Sequence, residues 1–176
     1  EDIRAAAELL APVYRQTEGR DGFVSLEVSP HLARNTEGTY AEAVRLWSLV
    51  DRENLMIKVP GTREGIPVIQ RLIADGINVN ITLLFSVERY AAVAEAFLAG
   101  LEQRAGSGHS IERVSSVASF FLSRIDSLLD PKLKGFGSIA VEFADYDALI
   151  KANGQKVGGL TGAIDTVFDY VFIVRS

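Results

Sequence analysis

The stretch from Leu55 to Leu84, LMIKVPGTREGIPVIQRLIADGINVNITLL, decides the fold. Leu55 to Val59 is a short apolar run closed by Pro60 and Gly61, which reads as a strand ended by a turn. Thr62 to Ala74 reads as a helix and stops at Gly76. Ile77 to Leu84 is a strand again. Strand, helix and strand packed into about 30 residues make a βαβ unit, whose two strands run parallel.

The same rhythm extends outward in both directions. Asp2 to Gln16 carries Ile3, Ala6, Ala7, Leu10 and Val13 at helical spacing, and Gly19 to Gly22 breaks it. Phe23 to Val28 reads as a strand. Asn35 and Thr36 are helix-start residues, and a helix is expected from about Thr39 to Val50. Downstream, Ser86 caps a long helix from Val87 to about Gln103, and Ala105 to Ser110 is a loop. Val114 to Phe121 is the fourth strand, with helix-like sequence from about Ser123 to Leu129. Four alternations imply an α/β fold in which helices cover a parallel sheet, as in part of a (β/α)8 barrel.

Bulk composition narrows the function. The chain has 176 residues, 48% of them hydrophobic, enough for one domain with a real core. Lys and Arg total 18 against 23 Asp and Glu, a net charge of −5 that gives no reason to expect nucleic acid or an acidic membrane as partner. Cysteine is absent, so disulfides and thiolate metal sites are excluded and a cytoplasmic setting is the default. No apolar run reaches the length of a membrane span, and no basic-then-apolar leader opens the sequence. A start at Glu1 instead of Met reads as a trimmed chain or a fragment.

The strands carry polar groups that a doubly covered parallel strand would not need. Period-two alternation puts Ser25, Glu27 and Ser29 on one face of the first strand, and Asn80 with Thr82 on one face of the third. In a barrel, strand C-terminal ends collect at one mouth, so Glu27, Lys58, Asn80, Thr82 and Ser119 share a meeting point.

Lys58 is the only charge between Leu55 and Pro60. Burying an ammonium is costly unless it is paired or loses its proton. A desolvated neutral amine attacks a ketone and forms a Schiff base, which then acts as an electron sink. The plainer alternative is a strand-end lysine with a buried stem and a wet amine. Glu27 could shuttle protons, or serve as the ion-pair partner of Lys58. Asn80 and Thr82 could hold substrate hydroxyls or a water, or satisfy each other in a buried sheet. Arg124, with Ser119, flanks the fourth strand where a phosphate could sit; the alternative for Arg124 is a salt bridge to Asp126 or Asp130. His31 and His109 stand alone, so a metal site is not expected.

Four segments together resemble the transaldolase family. They are Val24-Ser25-Leu26-Glu27-Val28-Ser29-Pro30, Leu55-Met56-Ile57-Lys58-Val59-Pro60-Gly61-Thr62, Gly76 to Ser86, and Ser116 to Asp126. They are similar to the family's third to sixth strands, in order. The resemblance implies that Lys58 forms the iminium with a ketose phosphate and that Glu27 relays protons through a water held by Thr82. It further implies that Asn80 binds the dihydroxyacetone hydroxyls, and that Arg124 and Ser119 bind the phosphate. The implied reaction moves dihydroxyacetone between sugar phosphates in the pentose phosphate pathway, with no metal or organic cofactor.

A closed barrel of this kind needs about 250 residues, and the family's first two strands have no counterpart here. Residues 1–133 are expected to form the transaldolase-like βα units. Residues 134–176 are expected to be a divergent C-terminal extension, with Val167 to Val174 as a strand, or as a helix over an open sheet edge. Such an edge invites pairing, so a homo-oligomer or closure by the tail is expected. The alternative function is a truncated, inactive remnant that acts as a self-associating half-barrel.

Overall fold

The computed structural model describes residues 1–121 and, as backbone, residues 170–175. Its helices are α1 (Asp2–Gln16), α2 (Thr36–Val50), α3 (Ile66–Ala74) and α4 (Val87–Gly106). Its strands are β1 (Val24–Glu27), β2 (Leu55–Pro60), β3 (Val79–Leu84), β4 (Ser115–Phe120) and β5 (Tyr170–Arg175). The sheet order is β1-β2-β3-β4-β5. The first four strands are parallel, and β5 lies antiparallel against β4. This is the α/β architecture of a partial (β/α)8 barrel. Of the two forms expected for the tail, the strand is the one found, and it covers the outer edge of β4. Among the described residues nothing pairs with the outer edge of β1.

Local chemistry explains the boundaries. Asn35 Oδ1 accepts from the Gly38 amide at 2.9 Å, so α2 begins at Thr36, three residues before the expected start. Ser86 caps α4 in the expected way, its Oγ accepting from the Arg89 amide at 3.2 Å. The third helix was expected from Thr62 but starts at Ile66. Thr62 is occupied elsewhere: its Oγ1 donates to the Ala33 carbonyl and accepts from the Gly65 amide. Pro67 then falls in the first turn, where its missing N–H costs nothing. At the other end, Ile77 N–H bonds the Leu72 carbonyl and Gly76 N–H the Ile73 carbonyl. That closure needs a left-handed residue, and Gly76 has φ +84°.

The core lies between the sheet's outer face and the helices. Ile57, Val59, Val79 and Ile81 point outward and are buried against a layer that includes Leu46, Val68, Ile69, Leu72, Val93 and Phe97. On the rim of this layer, Arg71 stacks on the Tyr40 ring at 3.7 Å, and Tyr40 donates to Asp75 at 2.6 Å. The hydrogen bond to Asp75, helped by partial burial, pushes the Tyr40 phenol above its ordinary value.

Two buried asparagines tie the frame together. Asn54 Nδ2 donates to the carbonyls of Ala7 and Gly22, which fastens α1 and the approach to β1 onto the start of β2. Asn78 Nδ2 donates to the carbonyls of Glu53 and Leu55, while its Oδ1 accepts from the Ser115 amide. One side chain thereby aligns the starts of β2, β3 and β4.

Helices α3 and α4 approach closely at Gly100. A Cβ there would stand 2.6 Å from the Gln70 carbonyl oxygen and 2.8 Å from Ile73. Backbone cannot yield as a flexible side chain can. Gly100→Ala should therefore destabilise the chain by about 1–3 kcal/mol despite alanine's better helix propensity. Urea unfolding of the two proteins measures this directly.

Candidate functional site

Strand register builds the site. Glu27 pairs with Lys58, Lys58 with Asn80, and Asn80 with Val117. Paired residues on parallel strands project to the same face, so these four form one row across the sheet on the side away from the helices. The row crosses at a slant: Glu27 ends β1, Lys58 is inside β2 and Asn80 is near the start of β3. This stagger is what a sheet needs in order to curl toward closure.

The curl is visible in one hydrogen bond. Asn80 Nδ2 donates to Ser25 Oγ at 3.0 Å, although β2 lies between their strands. Strands two apart in a flat sheet are about 9.5 Å from each other, so the bond is made over the top of β2 across a concave surface. On the other side, Ser119 Oγ donates to Asn80 Oδ1 at 2.8 Å. A serine–asparagine–serine line therefore runs from β1 to β4.

Lys58 Nζ lies 3.9 Å from Glu27 Oε2, an ion pair too long to be a hydrogen bond. The lysine side chain is 26% exposed and the glutamate side chain 51% exposed. The lysine side chain is thus mostly shielded but not sealed, between the desolvated-amine and wet-amine alternatives that the sequence left open. The neighbouring carboxylate and a curved face open to solvent account for that. The Phe121 ring centroid is 5.6 Å from Nζ and adds a cation–π contact on a second side. Phe121 in turn packs near Phe85, with ring centroids 6.2 Å apart.

Thr82 is 1% exposed, and its Oγ1 has no hydrogen-bond partner among the described residues. It does not satisfy Asn80, which is engaged by the two serines. Immediately after it the chain is irregular. The β3–β4 register shifts between Ile81 and Leu84, and Leu83 has φ +60°, a left-handed conformation that costs an ordinary residue about 1–2 kcal/mol. Strain of this sort gathers where a strand end is shaped for a ligand.

The structure thus brings Glu27, Lys58, Asn80 and Ser119 together on one curved face, with Thr82 on the strand that carries Asn80. Arg124 and the helix expected after Ser123 lie outside the described residues, as does most of 134–176. Ser25 and Phe121 were not among the expected site residues. Alternation had placed Ser25 on the same face as Glu27, and that was the available signal. No group of three His, Asp or Glu side chains able to hold a metal converges among the described residues. No helix among them is long and apolar enough to cross a membrane.

A curved parallel sheet with an amine, a carboxylate and amide and hydroxyl groups lining its concave face is a barrel-type α/β architecture. The family described as Transaldolase/Fructose-6-phosphate aldolase matches residues 1–155, and the chain belongs to this transaldolase family. Among curated relatives, the transaldolase of Thermobifida fusca (strain YX) is 60% identical over 132 residues. That of Trichodesmium erythraeum (strain IMS101) is 56% identical over 137 residues, and that of Mycobacterium tuberculosis (strain ATCC 25618 / H37Rv) 48% over 138. The matches cover 75%, 76% and 78% of this chain but 36%, 36% and 37% of the relatives. The chain spans little more than a third of their length.

The Thr82 hydroxyl has no partner among the described residues, and its removal tests that directly. Thr82→Val keeps the shape and removes this buried polar atom. The variant should be as stable as the parent, or more stable by about 1 kcal/mol. Thermal unfolding of the variant alongside the parent checks this. A clear loss of stability would mean that the hydroxyl has a partner in the folded chain.

Proposed function

We propose that this chain carries the Schiff-base half of a transaldolase site and transfers a dihydroxyacetone unit between sugar phosphates. The observation that supports this best is the row Glu27–Lys58–Asn80, in which an amine has a carboxylate on one side and a hydrogen-bonding amide on the other. Family membership supports the same reading.

In this reading Lys58 attacks the ketone carbon of the donor after giving up its proton. Loss of water from the carbinolamine gives the iminium, which takes up the electron pair when the neighbouring carbon–carbon bond breaks. Glu27 would accept and return protons through a water that the Thr82 hydroxyl, without a partner among the described residues, would help to hold. Asn80 retains one amide hydrogen and one carbonyl lone pair for substrate hydroxyls. Ser119 has committed its proton to Asn80. Its lone pairs therefore suit a substrate hydroxyl better than a phosphate, and phosphate binding falls to Arg124. The resemblance that suggests these roles also suggests the pentose phosphate pathway and no cofactor, and the absence of cysteine suggests a cytoplasmic setting. Association with a second copy is proposed at the outer edge of β1, which nothing pairs among the described residues. The inactive-remnant reading is not favoured over this one by the family match.

Incubation of the full chain with fructose 6-phosphate and borohydride should reduce the iminium to a stable secondary amine. Peptide mass mapping should place the added dihydroxyacetone at Lys58, and Lys58→Arg should abolish it. An adduct spread over several lysines, or none at all, would refute the assignment.

A further inference from the structure

We propose that Ser25 is a positioning residue for this site: by accepting from Asn80 Nδ2 it pins the plane of the Asn80 amide beside Lys58. The inference rests on the Schiff-base reading and adds a residue to which that reading gives no task.

An asparagine amide turns readily about its terminal torsion, where the energy wells are broad. A single hydrogen bond leaves that rotation partly free. Two bonds from opposite sides of the amide stop it, and Asn80 has two, from Ser119 on β4 and to Ser25 on β1. Ser119 is 6% exposed and its neighbours fix it. Ser25 is exposed and lies near the start of β1. An exposed hydrogen bond of this kind contributes little to stability, because water replaces it well. Its consequence is geometric. Asn80 is paired in register with Lys58, so the direction of its remaining N–H is set relative to the amine. Precise aim is what a group binding substrate hydroxyls requires while the imine forms.

The bond also reports the curvature of the sheet. Ser25 can reach Asn80 only while β1 and β3 lean toward each other over β2. Ser25 therefore couples the shape of the concave face to the orientation of the one amide in the Glu27–Lys58–Asn80 row.

The test uses the full chain with Ser25→Ala and Ser25→Thr, and two readouts. The first is the pair of Asn80 side-chain amide protons in nitrogen-15-edited NMR, assigned by their loss in Asn80→Asp. The second is the rate of borohydride trapping of fructose 6-phosphate at Lys58. Ser25→Ala should leave the urea midpoint unchanged, speed the exchange of the Asn80 amide protons, and slow trapping by about 3- to 10-fold. Ser25→Thr restores a hydroxyl and should recover both. Unchanged Asn80 protons in Ser25→Ala would overturn the proposal, as would altered protons with an unchanged trapping rate. Absence of any adduct in the unaltered chain is a different failure. It would remove the Schiff-base reading itself, and the role of Ser25 with it.

Discussion

Everything at this site depends on the register of three parallel strands. A shift of one residue in β2 would send Lys58 into the helix layer and turn Ile57 to the open face, because side chains alternate with period two. The register is held from both sides of the sheet. On the outer face, Ile57, Val59, Val79 and Ile81 are buried to within 2% exposure, and a slip would exchange them for polar groups. At the strand starts, Asn78 ties β2 and β4 to β3 through fully used donors and an acceptor. Apolar packing supplies the energy and a buried amide supplies the alignment. The site on the concave face inherits both.

Polar residues buried in this sheet fall into two kinds. Asn54, Asn78 and Ser116 have their partners within the chain, and their burial is accounted for by what they join. Thr82 has none among the described residues and sits beside a strained Leu83. An unpaired buried hydroxyl and a left-handed leucine both cost stability. Their occurrence at neighbouring positions, on the strand that carries Asn80, is what a ligand-binding strand end looks like energetically.

Much of this was legible in the sequence because it follows from periodicity. The apolar run around Lys58 and the stop at Pro60–Gly61 located β2, and the cap Ser86 located the start of α4; Asn35 was read as a helix-start residue, although α2 begins at once after it and not at Thr39. Alternation put Ser25 and Glu27 on one face of the first strand, and Asn80 and Thr82 on one face of the third. What periodicity cannot express is contact between strands that are not neighbours. The Ser25–Asn80 bond arises from curvature, which no local pattern encodes, so Ser25 was seen on the right face without a role. The late start of α3 was missed for a similar reason. Thr62 is a fair helix residue by itself, but its hydroxyl is drawn to Ala33, distant in sequence. The partial exposure of Lys58 likewise reflects the open concave face and a carboxylate 3.9 Å away, neither of which the strand's own apolar residues reveal.

The account requires Glu27 to act on Lys58 chemically and not only to neutralise it. Borohydride trapping of fructose 6-phosphate, followed in time in Glu27→Gln beside the unaltered chain, separates the two. Glutamine keeps the size and the hydrogen-bonding capacity of the side chain but cannot take up a proton. Loss of a proton shuttle should slow adduct formation by about 100-fold or more. Equal rates in the two proteins would contradict the account and leave Glu27 as an ion-pair partner alone.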